Sequence, residues 1–198
     1  HTDKPLLYIT GGNQGSEIIN TTISQAIGEL TRTFSVIHQC GNPTAQRNYQ
    51  SELERVRMKL SPAKQKRYAI RPWISEKELA WIYQHTHSVV SRAGANTLQE
   101  LQYFCIPSVL IPLPFSHYDE QAVGAAALEK AGGAVVLAQS GLNPRSLIAA
   151  LKKVVTAHTK MRQSLQRSKK KLPYNSAQTL YKTIQTVLPA TKVPHEAK

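Results

Sequence analysis

Three stretches of the sequence concentrate the residue types that can do chemistry, and each follows a short apolar run and leads into a helical pattern. The first is Thr10-Gly11-Gly12-Asn13-Gln14-Gly15-Ser16. Glycines let a backbone approach an anion closely, and a helix that follows offers free N–H groups and a positive dipole end. Gly12, Asn13, Gln14 and Gly15 could therefore hold a diphosphate, or the glycines could merely make a tight turn. No Lys-Ser/Thr pair follows, so the stretch is neither a Walker loop nor G-x-G-x-x-G. The second is Ser91-Arg92-Ala93-Gly94-Ala95-Asn96-Thr97-Leu98-Gln99-Glu100. Glu100 falls about one turn into the helix, where a carboxylate can accept two hydrogen bonds from a ribose diol or complement the helix dipole. The third runs from Ile111 through Pro112-Leu113-Pro114-Phe115 to His117, Asp119 and Gln121. Asp119 and Gln121 could bind sugar hydroxyls, and Asp119 could equally cap a helix. His117 reads as a loop histidine with an ordinary hydrogen bond, because no Ser or Cys nucleophile pattern accompanies it.

No catalytic base, metal cluster or cofactor motif is assigned. G-x-S-x-G and H-E-x-x-H do not occur, and Cys40 and Cys105 lack metal-ligand spacing. The two thiols read as buried and free, which suits a reducing cytoplasm.

The elements that must position these loops alternate. Strands are expected over residues 5–10, 34–39, 68–71, 87–91, 108–111 and 134–137. Helices are expected over 16–30, 44–60, 76–85, 95–104, 119–131, 143–157, 159–170 and 175–188. In the first helix Ile19, Ile23, Ala26, Ile27 and Leu30 fall on one face. Ser75 with Glu78 reads as a capping box. Short apolar strands alternating with helices predict an α/β fold: a Rossmann-like parallel six-stranded sheet with helices on both faces, plus C-terminal helices. Ligands of such sheets bind beyond the carboxyl ends of the strands. Residues 1–188 are expected to form one domain and 189–198 a disordered tail.

The chain has 198 residues, 41% of them hydrophobic, enough for a packed core. No apolar run reaches the roughly 18–20 residues of a membrane span, and residues 6–10 are too short for a signal peptide. The formal net charge is +13. Residues 151–198 hold 11 Lys/Arg and the single acid Glu196, so the basic character belongs to the C-terminal quarter. Such a segment favours an anionic neighbour such as an acidic membrane surface. It lacks the interleaved aromatics of an RNA platform, which counts against nucleic acid.

Taken in order, the three loops resemble glycosyltransferase family 28, in the C-terminal, donor-binding domain of its GT-B fold. The resemblance extends from Leu6 to about Leu188 and includes His38-Gln39-Cys40-Gly41 and Leu128-Glu129-Lys130-Ala131-Gly132. It implies that Gly12, Asn13, Gln14 and Gly15 sit by the diphosphate, although the family usually has serine where Asn13 stands. It implies that the Ile74 backbone pairs with uracil, and that Gly94, Asn96 and Thr97 lie at the phosphate and ribose. Glu100 would take the ribose hydroxyls, and Asp119 and Gln121 would face the sugar. The family has two adjacent glutamines and a later asparagine where this chain has Gln121-Ala122 and Ala125.

The implied activity is inverting transfer of GlcNAc from UDP-GlcNAc to a lipid-linked acceptor of the peptidoglycan-precursor type, on the cytoplasmic side of a membrane. The family's N-terminal acceptor domain is not in this chain, so the chain by itself is expected not to transfer sugar. The alternative is a non-catalytic UDP-sugar-binding module that needs a partner chain.

Overall fold

The computed structural model describes residues 4–170 and 176–187. Six strands form one parallel sheet: β1 (Leu6–Thr10), β2 (Ser35–Gln39), β3 (Tyr68–Arg71), β4 (Ser88–Ser91), β5 (Ser108–Leu110) and β6 (Ala134–Val136). The strand order is 3-2-1-4-5-6, and every pairing is parallel. This order reverses direction between β1 and β4, which opens a crevice at their carboxyl ends.

Successive strand residues point to opposite faces, and both faces are buried. Leu7, Ile9, Val90 and Val109 join one core with Ile19, Ile23 and Ile27 of α1 (Glu17–Thr33) and Leu53 of α2 (Tyr49–Met58). Tyr8, Val89 and Leu110 join the other. There they meet Ile82 of α4 (Glu76–His85), Leu101 of α5 (Ala95–Phe104) and Leu128 of α6 (Glu120–Lys130). Short strands flanked by amphipathic helices thus bury a core on each side, as the alternation predicts.

Two helix assignments differ from expectation. The expected helix over 44–60 does not start until Tyr49, because the backbones of Thr44 and Arg47 close a turn on each other and Asn48 then caps Ser51 N–H. The chain turns again at Ser61-Pro62, where the short helix α3 (Pro62–Gln65) begins. The expected pair over 143–157 and 159–170 is one helix, α7 (Pro144–Lys169). No Gly or Pro interrupts it, and the β-branched run Val154-Val155-Thr156 lowers propensity without breaking the hydrogen-bond ladder. At about 39 Å long, α7 gives Leu147, Leu151 and Val154 to the first core and Leu165 to the second.

The last described element is α8 (Ser176–Val187). The tail expected over 189–198 lies outside the described residues. Both cysteines are buried and free.

Candidate functional site: a crevice at the carboxyl ends of β1 and β4

The loop after β1 is fixed by its own backbone and by its neighbour. Gly12 N–H donates to Thr10 Oγ1 at 3.0 Å, and Gly15 N–H to the Gly12 carbonyl at 3.0 Å. Gly15 has φ +74° and lies against the end of β2, where an added Cβ would stand 2.0 Å from the Cys40 carbonyl oxygen. Only glycine permits that approach. Gly12, at φ +87°, faces open space instead.

Beneath this contact runs a buried polar chain. Asn20 Nδ2 donates to the Cys40 carbonyl at 2.9 Å, which leaves Asn20 Oδ1 to accept from His38 Nε2–H at 2.9 Å. His38 Nδ1 then accepts from the Tyr68 hydroxyl at 2.9 Å. His38 is fully buried, and burial pushes its imidazole down to about 3, so it is neutral. The chain ties α1, β2 and β3 together directly under the glycine loop.

The loop after β4 brings Arg92. Its Nη2 donates to Ser16 Oγ at 2.8 Å, and its Nη1 to the Ile111 and Pro112 carbonyls at 3.2 and 3.4 Å. One guanidinium thus joins all three loops singled out in the sequence. Partial burial lowers its pKa, yet it stays charged.

Helix starts differ in how they are capped, and α3 and α6 also begin without a side-chain cap bond. Asn48, Ser75 and Asn143 cap α2, α4 and α7 with their side chains, the Ser75–Glu78 pair as the expected capping box. At α1 and α5, whose first turns face the crevice, the caps Ser16 and Gly94 make no side-chain cap bond. Ser16 has the right chemistry for a cap, but its hydroxyl accepts from Arg92 instead. Free first-turn N–H groups and two positive dipole ends therefore converge on one space. Ser91 Oγ, in a residue 1% exposed, also lines the crevice and has no partner among the described residues.

The crevice holds about 470 Å³, within the range of small-molecule sites. Of the residues expected at the site, Gly12, Asn13, Gln14, Gly15, Gly94, Thr97 and Gln121 line it. Gln121 also has a structural task, since its Oε1 accepts from Leu113 N–H at 3.0 Å and holds the proline loop. Asn96, Ile74, Glu100 and Asp119 are not in the lining. Asn96 is exposed in the first turn of α5. Ile74 is buried in the second core, and no hydrogen bond among the described residues engages its N–H or C=O. Glu100 lies one turn beyond Thr97, where Oε2 accepts from the Tyr83 hydroxyl at 2.9 Å.

Asp119 caps α6 by position only, at φ 53° and without a side-chain bond. Phe115, Tyr118 and Asp119 all have left-handed backbones, and Phe115 and Tyr118 are 97% and 88% exposed. The helix expected from 119 thus starts at Glu120 after a strained turn.

Sequence reading gave no role to Arg92, Tyr83, Asn20 or Tyr68. Arg92 carried a local signal, a basic residue directly after a strand. The others act through contacts across 17 to 30 residues of sequence.

A parallel α/β sheet with a crevice at its strand reversal defines the doubly wound class of fold, whose ligands bind at that point. Residues 6–185 match the family described as Glycosyltransferase family 28 C-terminal domain, and the chain belongs to that family. A Clostridium kluyveri relative is 35% identical over 159 residues, which cover 79% of this chain and 41% of the relative. It is named UDP-N-acetylglucosamine–N-acetylmuramyl-(pentapeptide) pyrophosphoryl-undecaprenol N-acetylglucosamine transferase. A relative of the same name from Halothermothrix orenii is 31% identical over 170 residues, covering 84% of this chain and 44% of its own length. The chain thus spans about two fifths of the length of these relatives. The crystal structure of Acinetobacter baumannii MurG superposes with a TM-score of 0.75 at 23% identity, over 94% of this chain and 51% of that one. It shares the fold.

Proposed function

We propose that this chain is the donor-binding domain of an inverting transferase that moves GlcNAc from UDP-GlcNAc to a lipid-linked acceptor. The observation that carries the reading is the convergence of two uncapped helix starts and Arg92 on one open crevice. That is a site for a diphosphate, and the family's named members use a UDP-linked sugar. In this reading the residues 12–15, Gly94 and Thr97 hold the diphosphate. The unengaged Ile74 backbone pairs with uracil. Glu100 takes the ribose hydroxyls with its free oxygen while Tyr83 fixes the other, and Asn96 supports the ribose-phosphate edge. Gln121, through its amide nitrogen, and Asp119 face the sugar.

The chain's part in catalysis is then positioning, together with stabilising charge as it develops on the departing UDP. The acceptor and its deprotonation belong to a domain outside this chain. A membrane-surface location rests on α7, where Lys152, Lys153, Lys160, Arg167 and Lys170 are exposed. At 100° per residue they fall within an arc of about 100°, and α7 contains no acid. Among the described residues no helix is long and apolar enough to cross a membrane.

The test of the sugar is competition calorimetry with UDP-GlcNAc, UDP-GalNAc and UDP-glucose. UDP-GlcNAc is expected to bind most tightly. Equal affinity for all three would leave the sugar unread by Asp119 and Gln121 and remove the GlcNAc assignment.

A further inference from the structure

A cavity of about 690 Å³ lies at the opposite end of the sheet from the crevice. It opens at the amino ends of β1, β4 and β5, a strand's length away or roughly 13–17 Å. We propose that this cavity is a second ligand site, which takes a phosphate-class anion carrying a planar or apolar group. The proposal does not depend on what occupies the crevice.

Its charge is one-sided. Lys4 before β1, His85 at the end of α4, His87 before β4, and His158 and Arg162 of α7 line it, and among the described residues no carboxylate does. Tyr83 also lines it, with its hydroxyl engaged by Glu100.

Two of the histidines are oriented as donors. His158 Nε2–H donates to the His87 carbonyl at 3.0 Å, and His85 Nδ1–H to the Trp81 carbonyl at 2.7 Å. Carbonyls accept only, so each ring has one nitrogen committed as a donor, and the other takes no part in that bond. The His158 ring stacks on His87 with centroids 3.7 Å apart, and Arg162 stands near enough to bear on the same imidazole. Arg162 is exposed and has no ion-pair partner among the described residues.

The pocket also has a flat wall. Trp81 stacks on His85 at 4.3 Å and is 54% exposed, unusual for so large a ring. Phe104 adds apolar surface beside it.

Burial first, then the charges of His158 and Arg162, hold His87 down to about 4. Guanidinium and imidazolium donors match phosphate oxygens, and the exposed indole matches a ring or chain attached to them.

The probes are phenyl phosphate, for a soluble ligand, and short-chain dihexanoyl phosphatidic acid below its micelle concentration, for a lipid headgroup. The readout is the imidazole C–H NMR signals of the whole chain. At least one probe is expected to shift His85, His87 and His158 together. The probe that does so identifies the source of the phosphate. Affinity should fall about tenfold in Arg162→Gln, the worth of one charge-assisted contact. It should fall several-fold in Trp81→Ala and stay unchanged in Thr97→Ala, in the opposite crevice. The proposal is overturned if neither probe moves the three histidines, or if Arg162→Gln binds as the parent does.

Discussion

The buried His38 makes stability depend on pH in a calculable way. Its full burial holds the ring neutral, with a folded pKa of about 3 against 6.5 for the free imidazole. Only the unfolded chain takes a proton between these values. The stability this group permits is therefore fully present above pH 6.5 and is lost as pH falls toward 3. At pH 5 the loss from His38 is about 2 kcal/mol, one and a half pH units at about 1.4 kcal/mol each. His87, held down to about 4, adds a loss of the same sign. Glu17 and Glu78 have lowered pKa values and stay ionised in this window, so they add little. With a urea dependence of about 2 kcal/mol per molar, the midpoint should fall by at least about 1 M between pH 7.5 and 5.0. Urea titrations followed by circular dichroism measure it. His38→Gln should be less stable at pH 7.5 yet lose about 2 kcal/mol less on acidification. A flat midpoint in the parent, or an equal pH slope in parent and His38→Gln, would refute the assignment of a buried neutral His38.

Three further outcomes follow from the crevice and α7. Gly15→Ala forces a Cβ onto the Cys40 carbonyl at positive φ and should cost about 3 kcal/mol or more. Gly12→Ala meets open space and should cost only about 1–2 kcal/mol while reducing UDP affinity; equal stability losses by thermal melting would contradict the loop geometry. Glu100→Ala should weaken UDP binding at least about tenfold, with Tyr83→Phe weakening it less, and a sharp drop in melting temperature at unchanged affinity would make Glu100 a structural residue. Co-sedimentation should find the chain on anionic but not neutral vesicles at low salt, and Lys152, Lys153 and Lys160 changed to Ala should release it, at about 1 kcal/mol per residue near the surface. Indifference to lipid charge would leave the stripe as solvated surface.

Local signals were legible in the sequence wherever cause and effect lie within a few residues. The Ser75–Glu78 capping box, the buried face of α1 and the bounds of β3 follow from adjacent chemistry. Asn48 escaped notice as a cap because it stands in a polar run with no apolar period to mark where the helix begins. The strand order could not be read, since β1 finds β4 across some 80 residues and nothing local encodes that choice. Ser16 shows the same limit at one residue. By type it is a cap, and only the approach of Arg92 from 76 positions away takes its hydroxyl and leaves the helix start open. Two separate helices over 143–157 and 159–170 would not oblige the basic residues of the C-terminal quarter to share a face. A single unbroken α7 keeps their phase over 19 residues and aligns five of them.

The central claim is that the crevice reads a uridine diphosphate. Calorimetric titration of the chain with UDP, ADP and GDP tests it most directly. UDP should bind at least about tenfold more tightly than either purine nucleotide, a difference of about 1.4 kcal/mol. Equal affinity for the three nucleotides, or no binding of UDP, would contradict the claim.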